Sequence, residues 1–257
     1  MRKYVAIFFC ALVALCWRGN FVSASEPQEL IISAGTSLTN ALTEIGQAFE
    51  QAHPTVEVTF NFASPGALLQ QIVQGAPVDV FASANQKFMD DAQAKEVIVA
   101  ATRHNFAQNT LILAVPQDAA QSITTVADLV KPDVQRIAIG DPQTVPAGQY
   151  AQEALQGYGV WDHVTEKFIY ADSVRQVCDY LRRGEVDAGI VYATDLVSET
   201  DAARMVLKLA HHAPIVYPLA VVKSSAQPEL ARQFIDFVLS AAGQEILARF
   251  GFAPASK

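Results

Sequence analysis

The stretch Leu30-Ile31-Ile32-Ser33-Ala34-Gly35-Thr36-Ser37, with Leu38, Ala41, Leu42, Ile45, Ala48 and Phe49 behind it, decides the fold. The aliphatic triplet reads as a short buried strand. Small residues end it, and the apolar positions that follow recur at the spacing of an amphipathic helix. The same unit returns along the chain. Val56, Val58, Phe60 and Phe62 alternate as a strand; Ala63-Ser64-Pro65-Gly66 ends it, and Leu68, Leu69, Ile72 and Val73 follow at helical spacing. Val78-Asp79-Val80-Phe81 leads through Ala82-Ser83-Ala84-Asn85 to a helix with Phe88 and Met89. Thr110–Val115 reads as a buried strand ended by Pro116. Ile137–Gly140, Phe168–Tyr170 and Ala188–Tyr192 are further strands, the first two running into helices at Pro146-Ala147-Gly148 and Ser173-Val174. Tyr217–Val222 closes the series, before one or two helices over Pro228–Phe250. Strands alternating with helices predict α/β architecture with largely parallel sheets.

Composition sets the outer limits. The 257 residues suit one large domain or two ordinary ones. Apolar residues make up 51% and charged residues 17%, too apolar for a disordered chain. The formal charge of -8 argues against nucleic acid or an anionic membrane as partner. The three cysteines, at 10, 16 and 178, are too few for a disulfide framework or a cysteine-ligated metal site. Cys178 lies in the pattern Val174-x-x-Val177-Cys178-x-x-Leu181 and reads as a small buried hydrophobe.

Residues 1–24 read as an export signal. Arg2 and Lys3 precede an apolar run from Tyr4 to Trp17, shorter than the roughly 20 residues of a spanning helix, and Val22-Ser23-Ala24 offers a cleavage site. Lipidation at Cys16 is the alternative; the bulky Leu15 before it speaks for cleavage after Ala24. Cleavage removes Arg2, Lys3 and Arg18 but no acid, so the mature chain is more acidic still.

Open α/β sheets bind ligands outside the carboxyl ends of their strands. Here those loops are built from Ser, Thr, Gly, Ala and Pro, with few charges. A helix N-terminus carries unpaired N–H groups and a partial positive charge, which favours an anion. Ser37, Ser64-Pro65, Pro146-Ala147-Gly148 and Ser173-Val174 are such starts, and each alone also reads as an ordinary cap. Catalytic motifs are missing: no G-x-S-x-G, H-E-x-x-H, Walker A or G-x-G-x-x-G occurs. His211-His212 reads as a surface turn. Arg175 could meet an anion or pair with Asp172 or Asp179, and Tyr192 alone would read as core.

The strings AGTSLTNAL from Ala34, GAPVDVFASANQKFMD from Gly75, GDPQTVPAGQYAQEAL from Gly140, DSVRQV from Asp172 and GIVYATD from Gly189 occur in this order, with ARFGF near the end. Together they make the chain resemble the molybdate-binding proteins of bacterial molybdate ABC transporters, over nearly the whole mature length. The resemblance implies a two-lobed type II periplasmic binding protein fold, each lobe a mainly parallel sheet flanked by helices. It places lobe one at 25–108 and 219–257 and lobe two at 109–218. It implies a periplasmic, monomeric, non-enzymatic protein that holds molybdate or tungstate, uses no cofactor, and hands the ion to a membrane permease.

The family's ligand positions map onto Ser37, Ala147, Val174 and Tyr192. These would touch the ion through its oxygens, by backbone N–H groups and the Ser and Tyr hydroxyls, with no direct metal ligation. One position departs from the family pattern: Pro65 stands where Ser is common, and proline has no N–H to donate. Either the Ser64 hydroxyl or the Gly66 N–H would then make the second contact. Two other classes stay open on the residues. One is a binding protein for sulfate, phosphate or ferric iron, although iron would want several Tyr, His or carboxylate ligands and only Tyr192 stands at a strand end. The other is an exported enzyme, for which no nucleophile–base pair is visible.

Overall fold

In the computed structural model, which describes residues 27–119, 122–197 and 203–255, the repeated strand–helix unit builds two sheets. The export signal expected at 1–24, with Cys16, lies outside the described residues. The chain begins with β1 (Gln28–Gly35), α1 (Thr39–Ala52), β2 (Val56–Ala63), α2 (Pro65–Val73), β3 (Val80–Ala82), α3 (Gln86–Ala94) and β4 (His104–Gln108). It continues with β5 (Leu111–Pro116), β6 (Ile137–Gly140), α4 (Pro146–Gly157), α5 (Trp161–Val164), β7 (Phe168–Ala171), α6 (Val174–Arg182), β8 (Ala188–Tyr192) and β9 (Ala203–Lys208). It ends with β10 (Val216–Val221), α7 (Pro228–Leu239), α8 (Ala241–Arg249) and β11 (Ala253–Pro254).

The first sheet has the order β11-β4-β10-β3-β1-β2, the second β7-β6-β8-β5-β9. Parallel pairing is confined to β1 with β2 and β3, and to β6 with β7 and β8. The strands beside the crossings, β4, β5, β9 and β10, pair antiparallel, so each sheet is mixed. The chain changes sheet twice, at Asn109-Thr110 and between Lys208 and Val216. β10 belongs wholly to the first sheet, so the boundary expected at 218/219 falls inside a strand; Val216 already pairs with Gln108.

The helices cover the sheets with the faces their periodicity offers. Ala41, Leu42, Ile45 and Phe49 of α1 are buried. The Phe49 ring meets Phe234 of α7 edge-on, with centroids 5.3 Å apart, which seats the C-terminal helices on the first sheet. Burying one such side chain contributes about 1.5–3 kcal/mol. The final helical run is two helices because Ser240, with ψ 165°, leaves the helix and caps the next, accepting from Gly243 N–H at 3.3 Å. Strands β4, β9 and β11 escape the sequence reading. β4 buries only Phe106 and Ala107, and β9 is an edge strand with exposed Arg204 and Met205, so neither shows a sustained period.

One close approach fixes the start of α4. Gly148, in its first turn, lies against the end of β6, and a Cβ there would overlap the Gly140 carbonyl. Gly140 and Gly148 together let the helix begin directly over the strand end.

Candidate functional site

The carboxyl ends of β1, β2, β6, β7 and β8 meet between the lobes. Ser37, Ser64, Pro65, Ala147, Val174 and Tyr192 line one small cavity there, with Gly35, Thr36, Ala84, Val145 and Pro146. The free space in it is about 10 Å³, room for about one water molecule. None of the lining side chains is charged.

Each position is reached by local folding. Ser37 sits in a 3-10 turn, Thr36–Leu38, that leads β1 into α1. Ser64 precedes α2, whose first residue is Pro65. Its carbonyl accepts from Leu68 N–H at 3.0 Å, but its hydroxyl makes no cap bond, so it is not the side-chain cap that its place before Pro65 predicted. Ala147 is second in α4. The next two N–H groups, of Gly148 and Gln149, bond back to Val145 O, which leaves the Ala147 N–H among the first-turn donors without a helical acceptor. Val174 opens α6, where Ser173 does cap, its Oγ accepting from Gln176 N–H at 3.2 Å.

Gly66 is not on the cavity wall. Its N–H donates to Thr144 O of the other lobe at 3.1 Å, so it is already engaged. A Cβ on Gly66 would meet Thr144 Cα and O, each at 2.8 Å. Side-chain bonds also join the lobes: Asn85 Nδ2 donates to Gln149 Oε1 at 2.6 Å, and Arg175 Nη2 to Asn40 Oδ1 at 3.3 Å. Arg175 thus faces the other lobe, while Asp179 holds Arg182 at 2.7 Å.

Tyr192 is fully buried at the end of β8. Its backbone N–H donates to Asp195 Oδ2 at 2.9 Å, and its hydroxyl makes no hydrogen bond of ordinary length to the described residues, with the Tyr217 phenol as its polar neighbour. An unpaired buried polar atom costs about 1–3 kcal/mol. Behind Ser37 Oγ lies a neutral chain of groups that the sequence reading did not single out as site residues: Tyr217 OH, Asn109 Nδ2 and Thr194 Oγ1. Tyr217 had read only as the first residue of a strand, and Asn109 had stood only at the expected start of lobe two.

Burial pushes the phenols of Tyr192 and Tyr217 above their ordinary value. The unfolded chain loses these protons near pH 10 while the folded one keeps them. The stability due to their burial is therefore complete below about pH 10 and falls as pH rises beyond it. Thermal melts from pH 8 to 11 are expected to show this decline, with a shallower slope in Tyr217→Phe. Equal slopes in the two proteins would refute it.

A model of bacterial extracellular solute-binding proteins matches residues 30–253. The chain belongs to this family. Among the relatives of this solute-binding protein, the molybdate-binding protein ModA of Escherichia coli (strain K12) is 34% identical over 257 residues, covering 98% of each chain. ModA of Haemophilus influenzae is 32% identical, covering 98% of this chain and 99% of that one. The solved structure of the Azotobacter vinelandii periplasmic molybdate-binding protein superposes with a TM-score of 0.78 at 23% identity, covering 88% of this chain and all of the other. That likeness speaks for the fold: the two-lobed α/β architecture is shared.

Proposed function

We propose that this solute-binding protein captures molybdate, and tungstate as well, between its lobes in the periplasm and delivers it as a monomer to the membrane permease of an ABC transporter, with no chemical turnover. The observation that carries the reading is the Tyr192 hydroxyl. It is buried, protonated, lines the cavity, and makes no hydrogen bond of ordinary length to the described residues. Around it stand the Ser37 and Ser64 hydroxyls and the first-turn N–H groups of Ala147 and Val174. Such a set supplies donors and no fixed positive charge.

A tetrahedral dianion that leaves water needs its oxygens re-bonded. Neutral donors do this well, because a hydrogen bond to a charged group is worth about 1.5–3 kcal/mol. Helix N-termini add their partial charge. Of the two candidates for the contact beside Pro65, Ser64 is favoured: its hydroxyl is not used as a cap, whereas the Gly66 N–H is taken by Thr144. Selection by size would rest on the small closed cavity, since molybdate and tungstate match each other and exceed sulfate.

Calorimetry with molybdate, tungstate, sulfate and phosphate tests this. One-site binding of molybdate and tungstate with similar affinity, and much weaker binding of the other two, is expected. Tightest binding of sulfate or phosphate would overturn the assignment. A companion variant, Tyr192→Phe, separates site from scaffold. It should stabilise the ligand-free protein by about 1 kcal/mol, by removing an unpaired buried hydroxyl, and weaken molybdate binding by about 1.5–2 kcal/mol. Lower stability with unaltered affinity would mean that Tyr192 serves the core alone.

A further inference from the structure

The hydroxyl of Ser37 is held from behind. Asn109 lies where the chain passes from β4 to β5, and its amide orientation is settled by the backbone. Thr110 N–H only donates, and it meets Asn109 Oδ1 at 2.8 Å. The other end of the amide is therefore the NH₂ group. Its two protons go to Thr194 Oγ1 at 2.8 Å and Tyr217 OH at 3.1 Å. Tyr217 thus receives one hydrogen bond and keeps a proton to give. Burial holds that proton on the phenol. Of the oxygens beside Tyr217, Ser37 Oγ at 3.2 Å is within ordinary hydrogen-bond length to take it, whereas Tyr192 OH is not.

We infer that Asn109 and Tyr217 form a one-way hydrogen-bond relay that makes the Ser37 hydroxyl an obligatory donor toward the bound oxyanion. Both are positioning residues, and they select for ligand oxygens that carry no proton. The inference rests on the molybdate reading above. With Tyr217 donating to Oγ, the Ser37 proton points away from Tyr217, and the cavity is what Ser37 lines. A bare oxygen of molybdate accepts that proton. The O–H of hydrogen phosphate at the same place would meet another donor and lose its bond. The relay draws on both chain crossings, Asn109 standing in the first and Tyr217 in β10 just after the second.

A double-mutant cycle read by calorimetry on the purified protein, with molybdate as probe, tests this. Ser37→Ala is expected to raise Kd about tenfold or more, as for loss of a hydrogen bond to a charged group. Tyr217→Phe keeps the ring among Phe106, Tyr192 and Phe252. It is expected to raise Kd about threefold to tenfold, the effect of a weaker neutral bond. The double variant should bind no worse than Ser37→Ala alone, because contacting groups couple. In Tyr217→Phe the freed Ser37 oxygen can accept, so competition should show hydrogen phosphate gaining on molybdate. Asn109→Asp, which keeps the shape but turns the donor into an acceptor for Tyr217, should shift that ratio the same way. It serves as the second variant should Tyr217→Phe melt early. Additive losses with an unchanged phosphate-to-molybdate ratio would overturn the relay and leave the ligand reading intact. No molybdate binding by the unmodified protein would remove both.

Discussion

Gly66→Ala is expected to weaken molybdate binding by about 2–3 kcal/mol, up to roughly a hundredfold, while the ligand-free protein stays as stable or gains slightly. The two effects separate because the added methyl group meets two environments. Within its own lobe Gly66 is the second residue of α2, where alanine is the better helix former by up to about 1 kcal/mol. The Phe88 ring edge, 3.1 Å from the new Cβ, belongs to that lobe and must give by a few tenths of an ångström. Across the cleft the methyl group would sit 2.8 Å from Thr144 Cα and O, which are backbone and do not swing aside. The clash exists only when the lobes meet. The same contact carries the Gly66 N–H bond to Thr144 O, so the substitution also lengthens a bond that joins the lobes. Calorimetry and a melt of the same sample check it. A larger radius of gyration in the presence of molybdate, compared with the unmodified protein, would show the lobes held apart. Unchanged affinity would mean that this contact does not govern closure.

Gly148→Ala is expected to do the reverse, damaging the scaffold first. Its Cβ would overlap the Gly140 carbonyl, inside one lobe and in every state of the molecule. Overpacking of this kind costs about 3 kcal/mol or more, since neither α4 nor β6 can retreat without unpairing. For a chain of this length that lowers Tm by roughly 6–12 °C. Displacement of the first turn of α4 also moves the Ala147 N–H, so molybdate affinity falls with stability. A variant that melts within about 2 °C of the unmodified protein would show that the strand end yields more easily than close packing allows.

The contrast between these glycines explains which parts of the molecule were legible beforehand. Periodicity is a local signal, and it found α1, α4, α6 and the strands that feed them, because each buries one regular face. It therefore found the helix starts, whereas Tyr192, which by itself read as core, came only from the resemblance; the cavity brings all five expected positions together. It could not find β4 or β9, whose pairing depends on strands more than a hundred or about ninety residues away in the chain. The same limit applies to Tyr217 and Asn109. Their hydroxyl and amide acquire meaning only when residues 108 positions apart in sequence stand 3.1 Å apart in space. Ser64 shows a subtler case. The Ser-Pro pair correctly announced a helix start, but the spacing could not say whether the hydroxyl turns inward to the helix or outward to the cleft. Gly66 reads in sequence as a loop residue and in space as one of the points where the lobes touch.

The placement of β10 between β3 and β4 bears on how the molecule is assembled in time. Every strand of the second sheet lies between Leu111 and Lys208, so that half can complete itself from one continuous run of chain. The first sheet cannot. Its early strands wait with open hydrogen-bonding edges until Val216–Val221 has been made, and α7 and α8 cover it only after that. During synthesis the earlier-made sheet is thus the later to finish, which is the order expected when long-range pairing sets the slow step. The waiting edge of β3, which pairs with Leu219–Val221 in the finished sheet, is the stretch of a nascent chain left with open hydrogen-bonding groups.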